Sequence, residues 1–320
     1  MIKDKILGTG FIGMDIIKYD NRNIYLPGGT CANVISVLAY SGWDASLIKA
    51  NYYDNWNVYI NGLLSELNIK MLNLKKSNKQ TPRVIQTIDE GLHKFYTICP
   101  QCGRKLIDLT MPTENDIKKI EPDFFDCKVF FYDRISSGVK YTLEYMNKNN
   151  RWTIYEPNNG RFHSTLFANI ADARIVKFSS ERISVNIANK LLDYLEKRSS
   201  KTLLVIVTHG ENGVSFTSRH TGGKFSMWSN IEPIRFKKII DTSGAGDWLT
   251  AGFLDGFIKN YPFVTDNIRI DDVKSFLFDG QLFSKICCEN IGALGKLFDK
   301  GTEISMVGDH KHCTFCLSDL

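Results

Sequence analysis

A chain of 320 residues, 43% of them hydrophobic, carries enough apolar material for one large domain or a domain with a small attachment. Its 40 Lys plus Arg against 35 Asp plus Glu give a net charge of +5 with mixed signs, which argues against a nucleic-acid partner. The opening MIKDKILGTG has no long apolar run, so the expectation is a soluble, cytoplasmic protein with no signal peptide and no membrane partner.

In chain order, short apolar runs alternate with longer patterned segments. Strands are expected at 3–11, 44–50, 128–133, 151–156, 173–178 and 202–208, and helices near 31–41, 55–67, 137–149, 184–198, 246–260 and 271–290. The alternation predicts an α/β protein whose mostly parallel sheet is covered on both sides. Residues 83–107 break the rhythm: two or three extended pieces with a bend at Asp89, Glu90 and Gly91 make either a lid over a cleft or a surface flap. Near the start, Gly8, Gly10 and Gly13 match a dinucleotide fingerprint, but a polar KYDNRN stretch follows instead of a helix, and the next strand ends without an acid. No Walker loop is present.

Four places carry chemistry. Asp15 follows the first strand, and Gly28 and Gly29 let the backbone approach a ligand before the helix bearing Asn33. An acid and an amide at a glycine turn suit vicinal hydroxyls, although both residues also fit as ordinary solvated polar groups. The strand end YEPNNGR places Asn158 and Arg161 where open α/β sheets bind ligands. Thr208, Gly210 and Gly213 form a turn able to pass close to a base or a phosphate. In DTSGAGD (241–247), Gly244, Ala245 and Gly246 open a helix whose free amides can hold an anion. Asp247, one turn in, can accept the proton of an attacking hydroxyl; the plainer reading is a capped core helix.

These segments resemble the ribokinase-like (pfkB-type) carbohydrate kinases, with DTSGAGD close to the family signature D-T-x-G-A-G-D and PGGTCAN (27–33) similar to its N-terminal motif. The resemblance implies a three-layer α/β fold with a mostly parallel central sheet and a small β lid. Residues 1–300 would form the kinase domain, with 83–107 as the inserted lid. It implies Asp247 as catalytic base, Gly244 to Gly246 as anion hole, and Asp15, Gly28, Gly29 and Asn33 as sugar contacts. Lys177, Ser179, Thr208, Gly210, Gly213, Thr242, Asn290 and Gly292 fall on the ATP side. The family's K-x-N-x-x-E segment is altered to KFSSER: Ser179 replaces Asn, Arg182 stands where Glu is usual, and Glu181 comes one residue early. Mg2+ would then be organised by Glu181 or mainly by ATP oxygens. Glu156 stands where many sugar kinases have Asp, and CCENIGALG is less alanine-rich than usual.

The implied function is ATP-dependent phosphorylation of a sugar hydroxymethyl group, ribose- or fructose-like. Nucleoside and sugar-acid kinases use the same chemistry, and a catalytically weak binding or regulatory protein is the alternative outside it. The resemblance also admits a homodimer through the lid.

Of eight cysteines, Cys31, Cys127, Cys287 and Cys288 lie in apolar segments and read as small hydrophobes. CPQCG (99–103) and CTFC (313–316) are two C-x-x-C pairs. Cys99, Cys102, Cys313 and Cys316 can supply the four thiolates of a structural Zn2+ site tethering the tail, 301–320, to the lid. His310 and His312 are substitute ligands, and a thiol-disulfide pair or unconnected surface cysteines are the alternatives.

Overall fold

The computed structural model describes residues 3–89, 92–124, 126–157, 164–182, 185–220, 223–298, 313, 315 and 316. The strands are β1 (Lys5–Thr9), β2 (Gly13–Tyr19), β3 (Arg22–Gly28), β4 (Asp44–Asn51), β5 (Lys70–Lys76), β6 (Arg83–Asp89), β7 (Leu92–Tyr96), β8 (Val129–Tyr132), β9 (Trp152–Tyr155), β10 (Ile175–Ser179), β11 (Leu204–Thr208), β12 (Val214–Ser218) and β13 (Ser229–Ile231). The helices are α1 (Thr30–Tyr40), α2 (Asn55–Glu66), α3 (Glu114–Ile120), α4 (Ser137–Lys148), α5 (Ser164–Ala171), α6 (Val185–Glu196), α7 (Ala245–Asn260) and α8 (Ile270–Cys288).

Among the described residues the large sheet has nine strands in the order β13-β12-β11-β10-β9-β8-β1-β4-β5. From β11 to β5 every neighbouring pair is parallel, while β12 and β13 close one edge antiparallel. Strands covered on both faces must be apolar at successive positions, and VFFY of β8 is buried throughout. Their side chains alternate between two cores. Ile6, Val129, Phe131, Leu204 and Ile206 join the core packed by α1, α2, α7 and α8, whereas Leu7, Phe130, Tyr132 and Val205 join the one packed by α3 to α6. This is the three-layer α/β fold that the sequence implied.

The second sheet, ordered β3-β2-β6-β7, is larger than the expected flap. Residues 13–28, read partly as a polar connection, supply two of its strands. Asp20 and Asn21 at φ 49° and 58° make the tight turn between them, a conformation Asp and Asn tolerate better than other side chains. Met14, Ile16 and Ile17 are fully buried, so β2 anchors the small sheet to the main core, and β6 pairs parallel to it. The expected bend falls between Asp89 and Leu92, which pair across it; residues 90 and 91 lie outside the described residues. Because a strand and not a helix follows β1, the dinucleotide fingerprint is excluded structurally as well. Gly10 serves another purpose: a Cβ there would lie 1.7 Å from the Asp133 carboxylate.

Candidate active site

The first turn of α7 is built by residues from the rim of the large sheet. Gly244 takes φ 78° as N-cap, a left-handed geometry open to glycine, and provides no side-chain cap. Behind it, a Cβ would meet Ala293 at 2.4 Å, and Trp248 Nε1 donates to the Ala293 carbonyl at 2.6 Å. The preceding Asp241 is buried and accepts from Ser243 N at 2.7 Å, Gly292 N at 2.8 Å and Gln86 Nε2 at 3.2 Å. Asp241 therefore shapes the turn, and its charge is spent on donors.

Asp247 is arranged differently. Its Oδ2 accepts from Asn33 Nδ2 at 2.6 Å, which joins the PGGTCAN and DTSGAGD segments across 214 residues of sequence. Burial, then repulsion from Glu156, pushes its carboxyl up to about 7, against the pull of Lys177 and the Asn33 hydrogen bond. The Asn33 amide oxygen, Oδ1, is buried without a partner among the described residues. Glu156, just after β9, takes Lys177 Nζ at 2.7 Å and Thr250 Oγ1 at 3.1 Å; Lys177 also donates to the Gly246 carbonyl at 2.8 Å. This buried lysine holds the helix terminus in place. Arg182, one strand-end turn further on, lies near enough for its charge to favour ionisation of both Asp247 and Asp133.

Asp15, in β2, stands against Gly28: a Cβ on that glycine would fall 2.1 Å from the Asp15 carboxyl carbon. Gly29, at φ 97°, is the N-cap of α1 and leaves room for the Phe11 carbonyl. Burial and the nearby Asp241 charge raise Asp15 to about 7. Strands β6 and β7 of the small sheet close on the same turn. Gln86 Nε2 also donates to Ser243 Oγ at 2.8 Å, and the His93 ring lies 2.8 Å from Gln86 Nε2 and 3.5 Å from Asp241 Oδ1.

Other expected residues have mixed placements. Ser179 and Thr208 are partners in the β10–β11 register at one rim of the sheet, with Thr208 Oγ1 donating to the Phe178 carbonyl. Gly210 is left-handed with open space beside it, and Thr242 is exposed. Gly213 is required by close packing, since a Cβ would lie 2.2 Å from the Ile231 carbonyl. Gly292 likewise packs against Ile17 and Leu26, and Asn290 donates to the Ile286 carbonyl at the end of α8. Asn158, Arg161, His310 and His312 lie outside the described residues.

Sequence reasoning missed Gln86 and His93, whose alternation on a paired β6 and β7 was the available signal. It also missed Asp133, which accepts from Phe11 N at 2.7 Å and is raised to about 6, mainly by burial. Lys49 is a fourth omission: its amine meets Asn57 and Asn61, and burial lowers it to about 8. It lines a small recess with Thr9, Gly10 and Thr110.

Away from this cluster, Cys99, Cys102, Cys313 and Cys316 converge with all four sulfurs within 4.8 Å of one another, a grouping able to hold a metal ion. Among the described residues, no helix is long and apolar enough to cross a membrane.

Comparison with known proteins agrees with this architecture. Residues 135–266 match the family model described as pfkB family carbohydrate kinase. Over 272 residues the chain is 24% identical to a cytidine kinase of Thermococcus kodakarensis, covering 79% of this chain and 88% of that protein. A nucleoside kinase of Methanocaldococcus jannaschii is 26% identical over 278 residues, covering 81% and 85%. Among solved structures, a fructokinase from Xylella fastidiosa with bound ATP superposes with TM-score 0.70 at 17% identity, covering 91% of this chain and 94% of that one.

Proposed function

We propose that the chain is a kinase of the pfkB/ribokinase-like type, a reading supported by the family match over residues 135–266 and by the fold, and that it transfers the γ-phosphoryl group of ATP to the hydroxymethyl group of a ribose- or fructose-like sugar. The observation that carries the reading is Asp247: a raised carboxyl, held by Asn33, one turn inside an N-terminus made of Gly244, Ala245 and Gly246. The alcohol oxygen bonds to the γ-phosphorus as the bridging P–O bond breaks and ADP leaves. The alcohol proton passes to Asp247. The amides opening α7 face the negative charge on the transferring group, which makes positioning and electrostatics the protein's main contribution.

Asp15 and Asn33, with Gly28 and Gly29 giving room, bind the hydroxyls of the alcohol substrate. The rim bearing Ser179, Thr208 and Gly210 receives ATP. When bound, Mg2+ neutralises phosphate charge, and Glu181 is the acid placed to organise it beside an otherwise cationic Arg182. The same reading makes any ion at the four cysteines structural. Residues 83–107 act as the lid, and the exposed Phe95 and Ile98 at its β7 edge support pairing of two copies through that lid.

A nucleoside substrate is the second reading, favoured by the cytidine and nucleoside kinases among the relatives. The test is ATP turnover across sugars, nucleosides and sugar acids, followed by identification of the phosphorylated product. Turnover confined to nucleosides would replace the first reading by the second. Nucleotide binding without phosphorylation of any alcohol would make the protein a binding or regulatory one.

A further inference from the structure

We infer that Cys99, Cys102, Cys313 and Cys316 form a closed tetrathiolate Zn2+ site that clamps the C-terminal segment onto the small sheet. Cys99 and Cys313 approach to 3.6 Å, and so do Cys102 and Cys316, each pair bridging 214 residues of sequence. Four sulfurs about 2.3 Å from one tetrahedral ion stand about 3.8 Å apart along every edge. The observed contacts, with every sulfur pair inside 4.8 Å, fit that cage. They do not fit disulfides, whose sulfurs lie about 2.05 Å apart.

The chain around the cage is shaped for it. Gly103 N bonds back to the Cys99 carbonyl at 2.9 Å and Cys99 N to the Arg104 carbonyl at 2.8 Å, forming a knuckle with Gly103 at φ 71°. That turn brings both sulfurs of one C-x-x-C to the same side. Cys99 and Cys316 are almost completely buried, which makes the inner half of the cage dry, whereas Cys102 is exposed. Phe315, inside the second pair, packs edge-on against Tyr96 of β7 at 5.6 Å, with Lys18 of β2 4.7 Å above its ring. The Lys18 charge lies within electrostatic reach of Cys99, Cys313 and Cys316, offsetting part of the excess negative charge that four thiolates bring to a divalent ion.

Four protein ligands leave no open position for a substrate or water, so the ion's work is structural. Tetrahedral sulfur coordination also suits iron. Zinc is the assignment because the site needs only a cross-link, which a redox-inert ion without geometric preference supplies. The cage sits in the connection after β7, and β6 and β7 carry Gln86 and His93 to the Asp241 and Ser243 turn. The ion thus fixes the sheet that presses on the α7 terminus. This inference is independent of which alcohol the enzyme phosphorylates, or of whether it is a kinase.

The test uses the full chain without a histidine tag, purified with reductant and dialysed against trace zinc. Elemental analysis is expected to give about one zinc per chain. Replacing the zinc by cobalt should give the strong thiolate-to-metal absorption of a tetrahedral sulfur site. Cys102→Ser, which alters an exposed side chain and leaves the core packing alone, should weaken zinc retention against a chelator by at least about tenfold. Cys99→Ser with Cys313→Ser should abolish it and expose the tail to protease. Three results would each overturn the proposal: no zinc in reduced wild-type protein given zinc, iron in place of zinc after purification from zinc-replete cells, or unaltered retention in Cys102→Ser.

Discussion

The first turn of α7 and the inner face of the small sheet each hold a carboxyl raised to about 7, and they reach it by different routes. Asp247 is buried beside Glu156, but Lys177 and Asn33 pull it back toward ionisation. Asp15 is raised by burial and by Asp241, with no compensating cation among its causes. One acid sits in a wired network from rigid sheet elements, suited to taking a proton repeatedly at fixed geometry. The other waits for donors, and substrate hydroxyls are the groups that would supply them. A carboxyl raised in both places therefore does not imply the same role.

The largest effect that separates the two is on turnover. Asp247→Asn keeps the shape and the contact with Asn33 but removes the carboxylate proposed as the base. It should lower kcat by roughly 10²–10⁴-fold with ATP affinity nearly unchanged. Steady-state kinetics and nucleotide titration check this, and wild-type kcat in the variant would remove Asp247 from the role.

Asp15→Asn should act on binding instead. The KM for the alcohol should rise by about 10–100-fold, because a hydrogen bond to a charged group is worth about 1.5–3 kcal/mol, while the KM for ATP stays put. Stability gives an independent reading. A folded-state value near 7 against an ordinary aspartate value means that the native protein binds more protons between about pH 4 and 7. The Asp15 contribution to wild-type stability then falls as pH rises through that window, because ionising Asp15 in place is unfavourable. Asp15→Asn removes this contribution, leaving those of Asp247 and Asp133, and should melt later than wild type at pH 8, with little gain at pH 4. A parallel shift at both pH values would show that the carboxyl is not raised.

Much of the architecture was legible because burial on both faces forces recognisable patterns. VFFY and LVIVT cannot be surface segments, and the helical stripe of Leu249, Phe253 and Phe257 reads directly as α7. The small sheet was half hidden: GMDIIKY and RNIYLPG mix polar and apolar residues because one face meets the core and the other does not. The short α3 was missed although Thr113 and Asp116 form a capping box, since seven residues give too little period to detect. In the site, Asp247, Asn33 and the glycines were legible from spacing. The partnership of Glu156 with Lys177, and of Gln86 with Asp241, was not, because the first forms only once β9 and β10 lie side by side, and the second only where the small sheet meets the turn before α7, 155 residues further on.

That partnership predicts a pH effect. The Lys177 charge lowers the proton affinity of Asp247, so Lys177→Met should move the acid limb of the kcat/KM profile to higher pH by about one unit. The single variant also leaves Glu156 buried without its cation, destabilising the fold by about 3–5 kcal/mol. Lys177→Met with Glu156→Gln removes both charges and should bring the limb back toward wild type. A limb that stays displaced in the double variant would mean that Lys177 acts through something other than its charge on Asp247.

The smallest effect tests how firmly the α7 terminus is held. Thr250 Oγ1 lies 3.1 Å from both Glu156 Oε2 and the Gly246 carbonyl, which fixes the buried carboxylate to the same helix turn that Lys177 grips from below. Thr250→Val keeps the volume and removes the donor. Glu156 retains Lys177, so the loss is one hydrogen bond to a charged group, about 1.5–3 kcal/mol of stability by denaturant titration. Turnover should fall only severalfold, because neither Asp247 nor the amides of the first turn lose a direct partner. A loss of kcat as large as that of Asp247→Asn would place Thr250 among the groups that contact the reacting atoms and would dissolve the distinction between holding the turn and doing its chemistry.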